Sequence, residues 1–138
     1  MTSNTKPIGV AFEDQDIIGS NFVLAGGELG YTAEANGTVT QATDKSTGVT
    51  LNKSMGRITM NGAALAGNTA VSFTLTNSTI SANDALIVNV SGGGTAAAYT
   101  TYISSMATGS AVITLRNLTG GSLSEAVIIN FATIHGAA

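Results

Sequence analysis

Within Ala70-Val71-Ser72-Phe73-Thr74-Leu75-Thr76-Asn77, residues 71–76 alternate apolar with small polar side chains, one for one. Successive side chains of an extended chain point to opposite faces, so this octapeptide writes a strand with Val71, Phe73 and Leu75 on its core side. The same period recurs downstream. Leu86, Val88 and Val90 alternate with Ile87, Asn89 and Ser91; Ile113 and Leu115 with Thr114 and Arg116; Val127, Ile129 and Phe131 with Ile128, Asn130 and Ala132. Short β-prone runs bounded by Gly, Asn, Asp or Ser predict strands at about 38–42, 48–53, 56–60, 70–77, 85–91, 97–104, 110–117 and 125–134. The expected fold class is therefore all-β: an antiparallel β-sandwich, jelly-roll-like, of about eight strands.

Residues 1–35 do not share this period. Apolar residues there form short clusters (Ile8, Val10 and Phe12; Ile17 and Ile18; Phe22, Val23 and Leu24) separated by acids and glycines. The sequence divides into a segment at 1–35, read either as an N-terminal arm or as an irregular first strand, and a sandwich domain at 36–138. Between the strands, Asn61-Gly62-Ala63-Ala64-Leu65-Ala66-Gly67 is the one helix-like stretch, expected as a single turn closed by glycine at both ends. Gly92-Gly93-Gly94 lacks a following lysine and a helix, so it reads as a flexible hairpin turn and not as a phosphate loop.

Composition limits the function. The 138 residues suit one domain, and the chain has no cysteine, which removes thiol, disulfide and Cys-based metal chemistry. The opening polar residues carry no signal-peptide pattern, and no apolar run is long enough to span a membrane. Only 9% of residues are charged, against about 25% in an average soluble domain. The net charge is −3 and the five bases (Lys6, Lys45, Lys53, Arg57, Arg116) are scattered, which argues against nucleic acid as a partner. Five of the eight acids (Glu13, Asp14, Asp16, Glu28, Glu34) fall within the first quarter.

Reactive constellations are not legible. The single histidine, His135, stands near the C-terminus without a neighbouring nucleophile and reads as a surface residue. Gly120-Gly121-Ser122-Leu123-Ser124 lacks the second glycine of a nucleophile elbow; Ser122 to Glu125 reads as a cap or turn before the last strand. Asp14 and Asp16 lack the rest of a calcium loop, and the Glu13, Asp14 and Asp16 run reads as solvated. No catalytic, cofactor or metal residue is assigned, and the chain is expected not to be an enzyme. Two glycosylation-type triplets, Asn77-Ser78-Thr79 and Asn117-Leu118-Thr119, are taken as accidental in a chain rich in these residues. Tyr99 and Tyr102 have opposite strand parity, so one of them is expected to face solvent.

The solvent side of the strands carries Thr, Ser, Asn and Ala, with additional apolar residues at Ile87, Ile128 and Ile134. Where Lys and Glu would be usual, this composition looks like an interface and predicts burial against other copies. Four stretches also resemble a module of tailed-phage structural proteins: 37–53, Arg57-Ile58-Thr59-Met60-Asn61, 71–77 and 120–131. The resemblance spans about 29–138. In that group the module forms the distal ends of tail fibres and tailspikes, and trimeric capsid cement (decoration) proteins. It implies a homotrimer on the outer capsid surface that contacts the major capsid protein. Ile8, Val10, Phe12, Ile17 and Ile18 are the expected apolar capsid contacts. The alternative is a receptor-binding distal module at the tail tip, which touches a host surface glycan or protein. No cofactor is implied.

Overall fold

The computed structural model describes residues 29–136. After a 3-10 turn at Ala33–Ala35 the chain forms eight strands: β1 (Asn36–Thr40), β2 (Val49–Thr50), β3 (Met55–Thr59), β4 (Ala70–Thr76), β5 (Ala85–Gly92), β6 (Tyr99–Ala107), β7 (Ser110–Asn117) and β8 (Ile128–Ile134). They make two four-stranded sheets, ordered β1-β3-β8-β5 (sheet A) and β2-β4-β7-β6 (sheet B). The fold is the expected all-β sandwich. Observed strands lie within a few residues of those expected, apart from β2, which shrinks to two residues.

The sheets are mixed, not wholly antiparallel. β1 runs parallel to β3, and β2 parallel to β4, while the remaining pairs are antiparallel. The cause is the path of the chain. From β1 to β4 each strand enters the sheet opposite its predecessor, so neighbours in a sheet are separated by a crossover instead of a tight turn. Only β6 and β7 form a hairpin, closed at Thr108-Gly109, with Gly109 in the left-handed region at φ 79°.

One apolar cluster joins the two sheets. Ile58, Ile129 and Phe131 come from sheet A; Phe73, Leu75, Ile113 and Leu115 come from sheet B. The period of two places each of them inward. Two glycines shape the centre. An added Cβ at Gly56 would lie 2.5 Å from Leu51 Cδ2 and 2.7 Å from Phe131 Cε1, and one at Gly37 would lie 2.9 Å from Leu51 Cδ1. Gly37 and Gly56 are register partners, so together they open the space that Leu51 and the Phe131 ring fill.

Two local expectations are corrected. Residues 61–67 form no helical turn. Leu65 is buried, and its N–H and C=O exchange hydrogen bonds with Leu123 at 2.9 and 3.0 Å. Seven residues cannot repay helix nucleation, and burial of Leu65 draws the segment out as an extended bridge. Gly92-Gly93-Gly94 is not a hairpin either, since β5 belongs to sheet A and β6 to sheet B. It leads the chain across the edge of the sandwich, with Gly93 at φ 74°.

Asparagine side chains close several strand ends. Asn61, Asn77 and Asn117 each accept, at Oδ1, the backbone N–H two residues on, at 2.8, 3.0 and 2.9 Å. This is the Asx-turn, in which a side chain imitates the carbonyl of a backbone turn. Asn77 and Asn117 are fully buried. Their Nδ2 groups donate inward, Asn77 to Lys53 O at 2.7 Å, Asn117 to Leu65 O at 3.0 Å and to Gly121 O at 2.8 Å. The hydroxyls of Thr79 and Thr119 complete each turn at 2.8 Å. The two Asn-x-Thr triplets are therefore structural clamps, and their likeness to glycosylation signals is accidental, as expected. The nitrogen a glycan would need is buried and already donating.

Candidate functional site

The outer faces of the two sheets are the broadest functional feature. On sheet A the outward positions include Asn36, Thr38, Met55, Arg57, Ile87, Asn89, Asn130 and Ile134; on sheet B they include Ser72, Thr74, Thr76, Thr100, Tyr102, Ser104, Thr114 and Arg116. Each face carries a single charge, Arg57 on sheet A and Arg116 on sheet B. Sheet B's hydroxyls satisfy one another: Ser72 Oγ and Thr114 Oγ1 are 2.7 Å apart, and Ser104 bonds the same Thr114 hydroxyl. That network covers Thr114, which points outward and is nevertheless buried. Parity sorts the tyrosines as expected, with Tyr99 buried and Tyr102 48% exposed.

Sheet A divides across its width. Ile87 and Ile134 are 53% and 57% exposed near the β5 edge. Met55, Ala132 and Ile87 form one cross-strand row, and Thr38, Arg57, Asn130 and Asn89 form the next. β5 and β6 are edge strands of eight and nine residues, and neither carries a charge. Each carries one bulge, between Val90 and Gly92 in β5 and between Ile103 and Ser105 in β6, which is one guard against pairing with another chain, but charge, another usual guard, is absent.

Three polar clusters hold loops together. Lys45 is buried, with Nζ donating to the carbonyls of Asn61 and Glu125, each at 2.5 Å, and burial lowers its affinity for a proton. Gln41 bridges the same corner, donating to Lys45 O and Thr47 O and accepting from Asn61 N–H. The Glu125 carboxylate receives the Thr95 N–H at 3.1 Å, the Thr95 hydroxyl at 2.8 Å and the Tyr99 hydroxyl at 2.9 Å. The Thr95 bonds first, then Tyr99, hold it below the usual carboxylate range. Tyr99, buried and bonded to a carboxylate, is pushed up to about 12. Glu125 thus pins the glycine-rich crossover instead of capping a turn from Ser122. A surface cavity of about 410 Å³ lies along that crossover, with Val90, Thr95, Ala97 and Tyr99 in its wall.

His135 is tied down, although its side chain is 54% exposed. Its Nδ1 lies 3.0 Å from Asp84 Oδ2. The Asp84 carboxylate is buried and also takes the Ser81 N–H and hydroxyl at 2.8 Å and the Gly136 N–H at 3.0 Å. The Ser81 N–H foremost holds Asp84 well below its ordinary value, so this acid stays ionised. The pair fastens the end of β8 to the turn before β5, and the hydroxyl beside it, that of Ser81, donates to the carboxylate. Among the described residues no group of three or more His, Cys, Asp or Glu side chains converges as a metal site would require.

The expected capsid contacts Ile8, Val10, Phe12, Ile17 and Ile18 lie outside the described residues, as do Glu13, Asp14 and Asp16. Sequence reasoning missed the Lys45, Gln41 and Glu125 cluster, because nothing local distinguishes a lysine that will be buried by residues sixteen and eighty positions away. No protein-family model, no curated protein and no solved structure matches this chain.

Proposed function

We propose that this chain is a virion structural protein, a capsid cement module that assembles as a homotrimer on the outer surface of a phage head. The observation that carries the reading is the near absence of charge on both outer sheet faces and on the two long edge strands. Faces depleted of charge are what the cores of protein interfaces look like, and uncharged edges are open to pairing with another chain. The resemblance of residues 29–138 to phage structural modules supplies the setting.

The mechanism follows from linkage. A protein that binds the assembled shell, and not its free subunits, stabilises the shell by mass action. Three copies held together engage three shell sites at high effective concentration, so each contact can be weak. The clamps described above suit this role, because each fixes a loop by buried hydrogen bonds without metal or disulfide. The test is the position of labelled protein on intact particles. Label over the head supports cement; label confined to the tail end would replace this reading with the receptor-binding tip.

A further inference from the structure

Two Asn-Gly pairs occur in the chain, Asn36-Gly37 and Asn61-Gly62, and the fold holds them differently. At Asn36, the first residue of β1, the Gly37 N–H donates to the Oδ1 of Asn36 itself at 2.8 Å. A carbonyl oxygen is about 1.2 Å from its carbon, so the Gly37 nitrogen lies no more than about 4 Å from Asn36 Cγ. Asn36 is exposed, and among the described residues its Nδ2 makes no hydrogen bond. The Asn61 amide is fixed at both ends instead. Its Nδ2 donates to Ala42 O at 3.0 Å, and its Oδ1 accepts from Ala63 N–H at 2.8 Å, so it is turned away from the Gly62 nitrogen. Packing demands the glycine at position 37, because a Cβ there would crowd Leu51 and Lys53.

We infer that Asn36 is a site of spontaneous isoaspartate formation. The Gly37 nitrogen attacks Cγ of Asn36. The N–Cγ bond forms, the Cγ–Nδ2 bond breaks, and the proton shed by the Gly37 nitrogen passes through solvent to the departing ammonia. The five-membered imide takes up one water at either ring carbonyl and opens to aspartate or isoaspartate, so water is the only other reactant. Holding the nucleophile beside the carbonyl removes most of the search that ring closure requires. Glycine has no side chain to shield its nitrogen. β1 is also a five-residue edge strand, whose first residue can open at low cost. This corner is not part of the uncharged edge, since β1 lies across sheet A from β5. Glu34 stands two residues away, and Lys53 Nζ donates to Glu34 O at 2.6 Å. Conversion adds a carboxylate here, and isoaspartate also adds a methylene to the backbone just ahead of the Gly37 and Gly56 register pair.

The experiment ages the full-length protein in mildly alkaline buffer, with and without urea. Peptide mapping by mass spectrometry follows both Asn-Gly pairs and separates asparagine, aspartate and isoaspartate. In the native protein Asn36 should convert about tenfold or more faster than Asn61, since misplacing reacting groups by about 1 Å costs up to a hundredfold. In urea, where neither amide is held, the two should convert at similar rates. Both product isomers should appear at Asn36. Asn36→Gln should abolish isoaspartate there while leaving the rate at Asn61 unchanged. Native Asn36 as slow as Asn61 would overturn the inference. The same preference for Asn36 in urea would overturn it too, because local sequence and not the fold would then set the rate. Aspartate without isoaspartate would replace ring closure with direct hydrolysis and so refute the step.

Discussion

Replacing Asn117 with alanine should expose how much of the fold rests on one buried amide. The parent side chain makes four hydrogen bonds, two from Nδ2 and two to Oδ1. Their loss is not uniform. Leu65 O keeps the Leu123 N–H, and Gly121 O keeps the Thr119 hydroxyl, so both carbonyls retain a partner. The Thr119 N–H is the group left stranded. With about 0.5–1.5 kcal/mol net per bond, and a larger penalty for the one orphan, the cost should be about 2–4 kcal/mol. For a domain of this size that lowers Tm by roughly 10 °C or more. Thermal and urea melts at one fixed protein concentration measure it. Asn117→Asp preserves shape but removes both donors and buries a charge against two carbonyls, so it should be at least as damaging. Asn89→Ala, on an exposed strand position, should stay within about 0.5 kcal/mol of the parent. If Asn117→Ala also stays that close, the clamp is not what closes this end of the sandwich.

Other outcomes follow from the same packing. Phe131→Ala, at a fully buried ring, should cost about 3–5 kcal/mol in urea melts. Gly56→Ala should cost about 1–3 kcal/mol, because its methyl group would overlap Leu51 and the Phe131 ring. Stability should also fall in acid. Asp84 and Glu125 both have lowered folded values, so the native state binds fewer protons than the unfolded chain. Their contribution is whole above the unfolded values near pH 4 and drains as pH falls through the folded ones. Melts from pH 7 down to pH 2 should show a level region and then a decline, and Asp84→Asn should flatten part of that decline. Deleting residues 1–28 should leave a folded sandwich, since residues 29–136 supply both four-stranded sheets and the apolar cluster that joins them. Loss of cooperative melting in that truncation would make the segment integral to the domain.

The strands were legible because burial on one face imposes period two, and that period survives in Val71, Phe73 and Leu75 or Val127, Ile129 and Phe131 without any tertiary information. Tyr99 and Tyr102 were sorted by the same rule. The pairing was not legible. Whether β1 meets β2 or β3 depends on which sheet each strand enters, and no local residue records that. Leu65 shows the same limit from another side, for its alanine-rich surroundings suggest a helical turn and burial against Leu123 decides otherwise. The Asn-x-Thr turns did leave a signal, an asparagine at a strand end with a hydroxyl two residues on, but that signal coincides with a glycosylation triplet and does not by itself point to a turn. Lys45 left none. The outer faces were legible as charge-poor.

The claim on which the functional reading stands is that the uncharged faces and edges are covered by other copies of the chain. The mass of the native protein by light scattering at micromolar concentration addresses it directly. The expected value is three times the 13.7 kDa of a single chain, unchanged on dilution through that range. A mass of 13.7 kDa would mean that these faces stand bare in solution, and the trimeric cement reading would fail with them.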